Sequence, residues 1–132
     1  KREFRILKHE EFREILSESP FEKSSCFVIH FRKNGNGKLR IGINVGKRNG
    51  GAVTRNKIKR QIRNIVSLHF DFAKPLDLII LVRPTYSPSL YRNAEEELKG
   101  LWTKIGERNF EKENEIKLFG LLGLFLGALT LS

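Results

Sequence analysis

Arg55, Asn56, Lys59, Arg60 and Arg63 are the side chains most able to do chemistry in this sequence, and the chemistry is phosphate capture. At about 100° per residue, Asn56, Lys59, Arg60 and Arg63 fall on one arc of a helix, opposite a stripe of Ile58, Ile62, Ile65, Val66 and His69. Arginine offers a planar fork of donors that matches a phosphate bidentately. Lys47 to Gly51 is a glycine-containing loop leading into this helix, and the free N–H groups of a helix start also attract phosphate. A solvated helix face normally mixes Glu with Lys for support at i,i+4. No acid stands here to relieve the repulsion.

Acid–base and metal chemistry are not indicated. His9, His30 and His69 are far apart and lack zinc-site spacing. Gly35-Asn36-Gly37-Lys38 is no Walker loop, because the six-residue spacing is missing. No Cys–His or Ser–His–Asp set is legible. The expectation is a protein with no catalytic and no metal-ligating residues of its own.

The basic helix is part of a longer block. Residues 23–70 hold twelve Lys or Arg and not one Asp or Glu, whereas the rest of the 132-residue chain has thirteen basic against fifteen acidic residues. All the excess behind the net charge of +10 therefore sits in one continuous third. A single-sign block this long points to a polyanion, and nucleic acid is the first candidate. With 39% apolar and 30% charged residues, the chain reads as one globular domain. Its one cysteine, Cys26, excludes an internal disulfide, suits a reducing cytosol and opens an apolar run, which marks a buried thiol. No secretory signal is recognisable at the start.

The elements that position these residues follow from periodicity. Lys8 to Leu16 reads as a helix with Phe12, Ile15 and Leu16 on one side, ended by Ser17-Glu18-Ser19-Pro20. Cys26 to Arg32 alternates as a strand, with Phe27, Ile29 and Phe31 on one face and Val28, His30 and Arg32 on the other. Asn34-Gly35-Asn36-Gly37 predicts a hairpin turn into a second strand, Leu39 to Lys47. Gly42 and Gly46, beside Arg40 and Asn44, leave one face of that strand bare, either for a ligand backbone or for a closely packed helix. Arg55 to His69 is the long helix, Asp77 to Val82 a strand buried on both faces, and Ser89 to about Ile105 a last helix. That helix carries Ala94, Leu98, Leu101, Trp102 and Ile105 in register and Glu95-Glu96-Glu97 early, where the dipole favours acids. The order α-β-β-α-β-α gives a mixed sheet with helices against it. Leu118 to Leu131 is an apolar run of 14 residues, short of the roughly 17–20 a membrane helix needs, so membrane association is not expected. Residues 1–112 are read as the domain and 113–132 as an apolar tail of unknown role.

Lys47-Arg48-Asn49-Gly50-Gly51-Ala52-Val53-Thr54-Arg55-Asn56-Lys57-Ile58-Lys59-Arg60-Gln61-Ile62-Arg63 closely resembles the signature of the bacterial ribonuclease P protein subunit, Lys-basic-x-Gly-x-Ala-Val-x-Arg-Asn-x-x-Lys-Arg-x-x-Arg. Phe4-Arg5-Ile6 and Glu11-Phe12 resemble the family's basic-aromatic start, Arg40 to Val45 its second strand and Asp77 to Pro84 its last. The resemblance covers about residues 2–105. It implies an α/β (α+β) sandwich like domain 2 of ribosomal protein S5, with a left-handed β-α-β crossover around the long helix where the ordinary rule predicts a right-handed one.

It also implies a function. The family assists a catalytic RNA in removing the 5′ leader of precursor tRNA, with Mg²⁺ bound mainly by the RNA subunit. Arg55, Asn56, Lys59, Arg60 and Arg63 would contact the ribonuclease P RNA. Phe12, His30, Arg40, Asn44, Lys47 and Arg48 would line a cleft for the single-stranded leader, where bases stack with little sequence preference. Leu16 and His30 stand where the family is often aromatic, which shifts stacking onto Phe12. The expected place of work is the cytoplasm. A ribosomal-type or general RNA-binding protein with no role in cleavage is the alternative.

Overall fold

Seven residues, Leu76–Val82, form the strand on which the architecture turns. A computed structural model of the chain describes residues 2–6 and 8–108. The described elements are α1 (His9–Glu18), β1 (Phe21–Lys23), β2 (Phe27–Lys33), β3 (Arg40–Val45), α2 (Ala52–His69), β4 (Leu76–Val82) and α3 (residues 91–108). Short 3-10 turns occupy Arg2–Phe4, Lys47–Asn49 and Pro88–Leu90. The chain divides into two compact units, Lys1–Trp102 and Thr103–Ser132. Of the second, residues 103–108 are the closing turns of α3. The apolar run Leu118 to Leu131 lies outside the described residues.

The sheet order is β1-β2-β4-β3, with β4 antiparallel to β2 and parallel to β3. This corrects the hairpin expected at Asn34 to Gly37. That turn does join β2 to β3, but the two strands are not paired, because β4 lies between them. The physical reason is burial: β4 is buried on both faces and needs a partner on each edge, whereas β3 offers a face interrupted by Arg40, Gly42 and Asn44. The Asn34 side chain fixes the turn by donating to Lys38 O at 3.1 Å and to Asp77 Oδ1 at 2.7 Å, while its own oxygen accepts from the Asn36 N–H. The short edge strand β1 was not foreseen. It pairs antiparallel with β2 through Phe21–His30 and Lys23–Val28.

Register sorts the strands into rows. Phe27, Ile29 and Phe31 of β2 stand beside Val82, Ile80 and Leu78 of β4 and, beyond them, Val45, Ile43 and Ile41 of β3. On this face α2 lays Ile58, Ile62, Ile65 and Val66, all buried as the helical stripe predicted. His69, counted in the same stripe, lies at its margin with Nε2 2.7 Å from Glu95. Ala94, Leu98 and Leu101 of α3 are buried, and the Trp102 ring stacks on Phe70 with centroids 4.5 Å apart. Cys26 is a buried free thiol, and burial pushes its pKa up.

The opposite face has the rows Val28–Leu81–Asn44, His30–Ile79–Gly42 and Arg32–Asp77–Arg40. Helix α1 covers part of it, packing Ile15, Phe12 and Leu16 against Ile79, Leu81 and Ile6. Gly42 is required by that packing, since a Cβ there would meet the Phe12 ring at 2.7 Å. Of the two readings of the bare strand face, the packed helix holds at Gly42, while Gly46 has open space around it.

Candidate nucleic-acid interface

Helix α2 begins without a side-chain cap. Its N-cap is Gly51, its first turn carries no acid, and the first intrahelical bond is the Arg55 N–H to Gly51 O at 2.9 Å. The loop ahead of it is a tight turn, closed by the Gly50 N–H on Lys47 O. Gly50 has φ of 134°, outside the range an L side chain readily adopts, and a Cβ would touch Thr54 at 3.0 Å. Asn49 anchors the loop by donating to Arg83 O and Tyr86 O. The outcome is a fixed array of amide hydrogens with Lys47 and Arg48 exposed beside it.

Along α2, Asn56, Arg60 and Arg63 are exposed and Lys59 half-buried, on the side away from the Ile stripe. Arg55 is half-buried, and its Nε is a buried donor with no hydrogen-bond partner among the described residues. Such a group costs free energy unless something outside the chain accepts from it. Although Arg63 is exposed as a residue, partial desolvation of its guanidinium and then the nearby Arg5 hold it below its ordinary pKa. Among the described residues, none of Arg55, Lys59, Arg60 or Arg63 forms an ion pair.

The six residues proposed for a single strand are not all together. Phe12 and Asn44 line one cavity of about 560 Å³, with Lys8, Arg13 and Leu16. His30 stands in the same row as Gly42, its ring tilted against the exposed Phe21 at 5.3 Å and Nδ1 3.2 Å from Ser19 O. Lys47 and Arg48 follow the C-terminal end of β3, just past Asn44. Arg40 is at the other end of that strand and is otherwise engaged. Its Nε and Nη2 donate to the two oxygens of Asp77, each at 2.9 Å, and Nη2 also donates to Glu11 at 2.6 Å. The bonds to Asp77 raise the Arg40 pKa, and burial only partly opposes them.

Asp77 is the buried anchor that the sequence reading passed over. It is 1% exposed and accepts from Arg40, Asn34 and Arg32, while Arg32 also reaches Glu14. Lys38 pairs with Glu3 at 3.2 Å. The acid-free block is thus partly neutralised in space by acids lying outside it in sequence. Its unpaired remainder is concentrated on α2 and at the turn before it. Phe72 was missed, and Phe4 and Arg5 were named only within the family resemblance and given no role, although all three meet Arg60 and Arg63 around a second cavity. Arg5 lies outside the block, and only the bridge between Arg5 and Ile41 brings it to the sheet.

Comparison with known proteins gives this geometry a family. The Ribonuclease P family model matches residues 1–106. The chain belongs to the ribonuclease P protein family. It is 41% identical over 98 residues to the ribonuclease P protein component of Mesoplasma florum, covering 73% of this chain and 89% of that one. It is 39% identical over 109 residues to that of Dictyoglomus turgidum, covering 80% and 91%. The RNase P protein from Thermotoga maritima superposes with a TM-score of 0.69 at 30% identity, over 76% of this chain and 96% of that one. An RNase P protein of Staphylococcus aureus gives 0.71 at 29%, over 80% and 90%. Family membership places the chain in tRNA 5′-end processing, as a component of an endoribonuclease complex with an RNA partner. Among the described residues no helix is long and apolar enough to cross a membrane.

Proposed function

We propose that the chain serves ribonuclease P through two RNA surfaces, one for the catalytic RNA and one for the 5′ leader of precursor tRNA. The observation that carries this reading is the division of α2 into a buried Ile stripe and an acid-free side bearing Arg55, Asn56, Lys59, Arg60 and Arg63. A phosphate backbone in fixed relief, as in a folded RNA, is the ligand such a rigid array fits. The leader surface is the half-covered sheet face: Phe12 and His30 offer flat rings, Asn44 a hydrogen-bonding amide, Lys47 and Arg48 charge at its end. Arg40 contributes there by holding α1 in place through Glu11 and Asp77, and so sets the width of the cleft.

Catalysis resides in the RNA under this reading. Asp77, Glu11 and Glu14, carboxylates of α1 and β4, are engaged by arginines rather than free for acid–base work. Mg²⁺ bound mainly by the RNA subunit would then supply the metal chemistry of hydrolysis. The protein lowers the Mg²⁺ requirement by screening repulsion between two RNAs, and it works in the cytoplasm. The test is reconstitution with the cognate ribonuclease P RNA at low Mg²⁺, with 5′-leader cleavage as readout. Cleavage that depends on the protein supports the proposal. RNA binding without stimulation of cleavage would move the chain to the general RNA-binding alternative.

A further inference from the structure

Between the N-terminal segment, the outer edge of β3 and the flank of α2 lies a cavity of about 650 Å³, a volume in the range of small-molecule sites. Three half-buried rings, Phe4, Phe12 and Phe72, line it, with Phe4 edge-on to Phe72 at a centroid separation of 4.9 Å. Three exposed arginines, Arg5, Arg60 and Arg63, also line it, and none of them forms an ion pair among the described residues. Cations are gathered at an apolar hole with no anion to balance them. Such an arrangement is unfavourable alone and favourable once an anion carrying a flat apolar body fills it.

A second observation points the same way. The N-terminal segment caps the edge of β3 only at the Arg5–Ile41 bridge, through the Ile6 N–H on Ile41 O. Beyond that bridge no described strand pairs with the outer edge of β3, and Ile43 lines the cavity there. An open strand edge presents unpaired N–H and C=O groups, which can meet the hydrogen-bonding edge of a base.

We propose that this cavity receives one unstacked nucleotide of the catalytic RNA, its base among Phe4, Phe12 and Phe72 and its phosphate among Arg5, Arg60 and Arg63. The proposal rests on the reading of α2 as the catalytic-RNA surface and adds to it a built site for a single base. Partial desolvation of the Arg63 guanidinium and the nearby Arg5 both oppose its charge, and an arriving phosphate would offset both. The Phe12 ring forms a wall shared with the leader-side cavity.

The test compares adenosine 5′-monophosphate with inorganic phosphate on the full chain by NMR titration, which needs no RNA subunit. The nucleotide should bind at least about tenfold tighter than phosphate, with the largest shifts at Ile43 and Phe72. Ser67 is exposed and lines the cavity, so Ser67→Trp should fill it without disturbing the core. That variant should bind the nucleotide no better than phosphate. It should also bind the ribonuclease P RNA about fivefold to tenfold more weakly with an unchanged salt slope, because the phosphate contacts remain. Equal affinity of the natural chain for nucleotide and phosphate would overturn the proposal, and so would an unaltered Ser67→Trp protein. If the natural chain fails to bind the RNA at all, the fault lies with the reading of α2, whereas the nucleotide comparison still reports on the cavity.

Discussion

Replacing Asp77 by Asn should destabilise this protein more than any single change on the proposed RNA-facing surface. The carboxylate accepts a bidentate pair from Arg40, one bond from Asn34 at 2.7 Å and one from Arg32 at 3.2 Å. Asparagine keeps the shape but turns one acceptor into an NH₂, which then faces donors. Removing one partner of a buried ion pair costs about 3–5 kcal/mol, chiefly because the surviving charge is left unpaired. Arg40 keeps Glu11 and is 18% exposed, so the lower end, about 3 kcal/mol, is the working figure. For a domain of this size that is a fall in Tm of roughly 11–14 °C. Protonation imitates the substitution. Burial pushes the Asp77 carboxyl up, but the hydrogen bonds from Arg40, Asn34 and Arg32 outweigh it and hold the group below the usual carboxylate range. A folded-state pKa below the unfolded one gives stability that is complete above about pH 4 and is lost as pH falls through the folded value. Urea unfolding followed by circular dichroism should therefore show the full difference between Asp77→Asn and the natural chain at pH 7, shrinking as the solution is acidified below pH 4. A difference under about 1 kcal/mol at pH 7, or one that ignores acid, would refute the assignment of Asp77 as the pin between α1 and the sheet.

Arg60→Ala and Arg63→Ala should each weaken binding to the ribonuclease P RNA and reduce the slope of log affinity against log salt by about one, with an unchanged circular dichroism spectrum. Loss of fold in either would contradict their placement away from the Ile58–Ile62–Ile65 stripe. Gly42→Ala should displace the Phe12 ring at a cost of about 1–3 kcal/mol and weaken binding of leader-bearing tRNA more than of leaderless tRNA; equal loss with both would make Phe12 a core residue only. Cys26 should react with a thiol reagent in the native protein far more slowly than in urea, and a fast native reaction would show that the thiol is reachable.

Periodicity located α1, β2, β3, α2, β4 and α3, because each buries a stripe or a face that local sequence displays. Strand pairing was not legible in the same way. Asn34 to Gly37 has the composition of a hairpin turn, yet which strands pair is decided by how β4 buries both its faces, a fact about the whole sheet. β1 was missed because three residues with one side chain half-buried show no pattern. At the interface, the outer side of α2 was readable since helical spacing alone gathers it. Arg40 looked equally available, because nothing near it in sequence is acidic. Its partners come from α1 and β4, and only the row Arg32–Asp77–Arg40 reveals them. The cavity beside α2 was hidden for the same reason, being assembled from Phe4, Phe72 and α2 across three separate stretches of chain.

The central position of β4 also dictates a timetable. During synthesis β2, β3 and the whole basic helix leave the ribosome before the strand that joins them, so the nascent chain holds two half-made sheet edges and a cationic segment with no scaffold. Val82 must arrive before Phe27 and Val45 acquire their shared neighbour. Slow, non-local pairing of this kind prolongs the life of incomplete species. The surface proposed for the catalytic RNA therefore has no finished scaffold until β4 is made, and assembly waits on that strand.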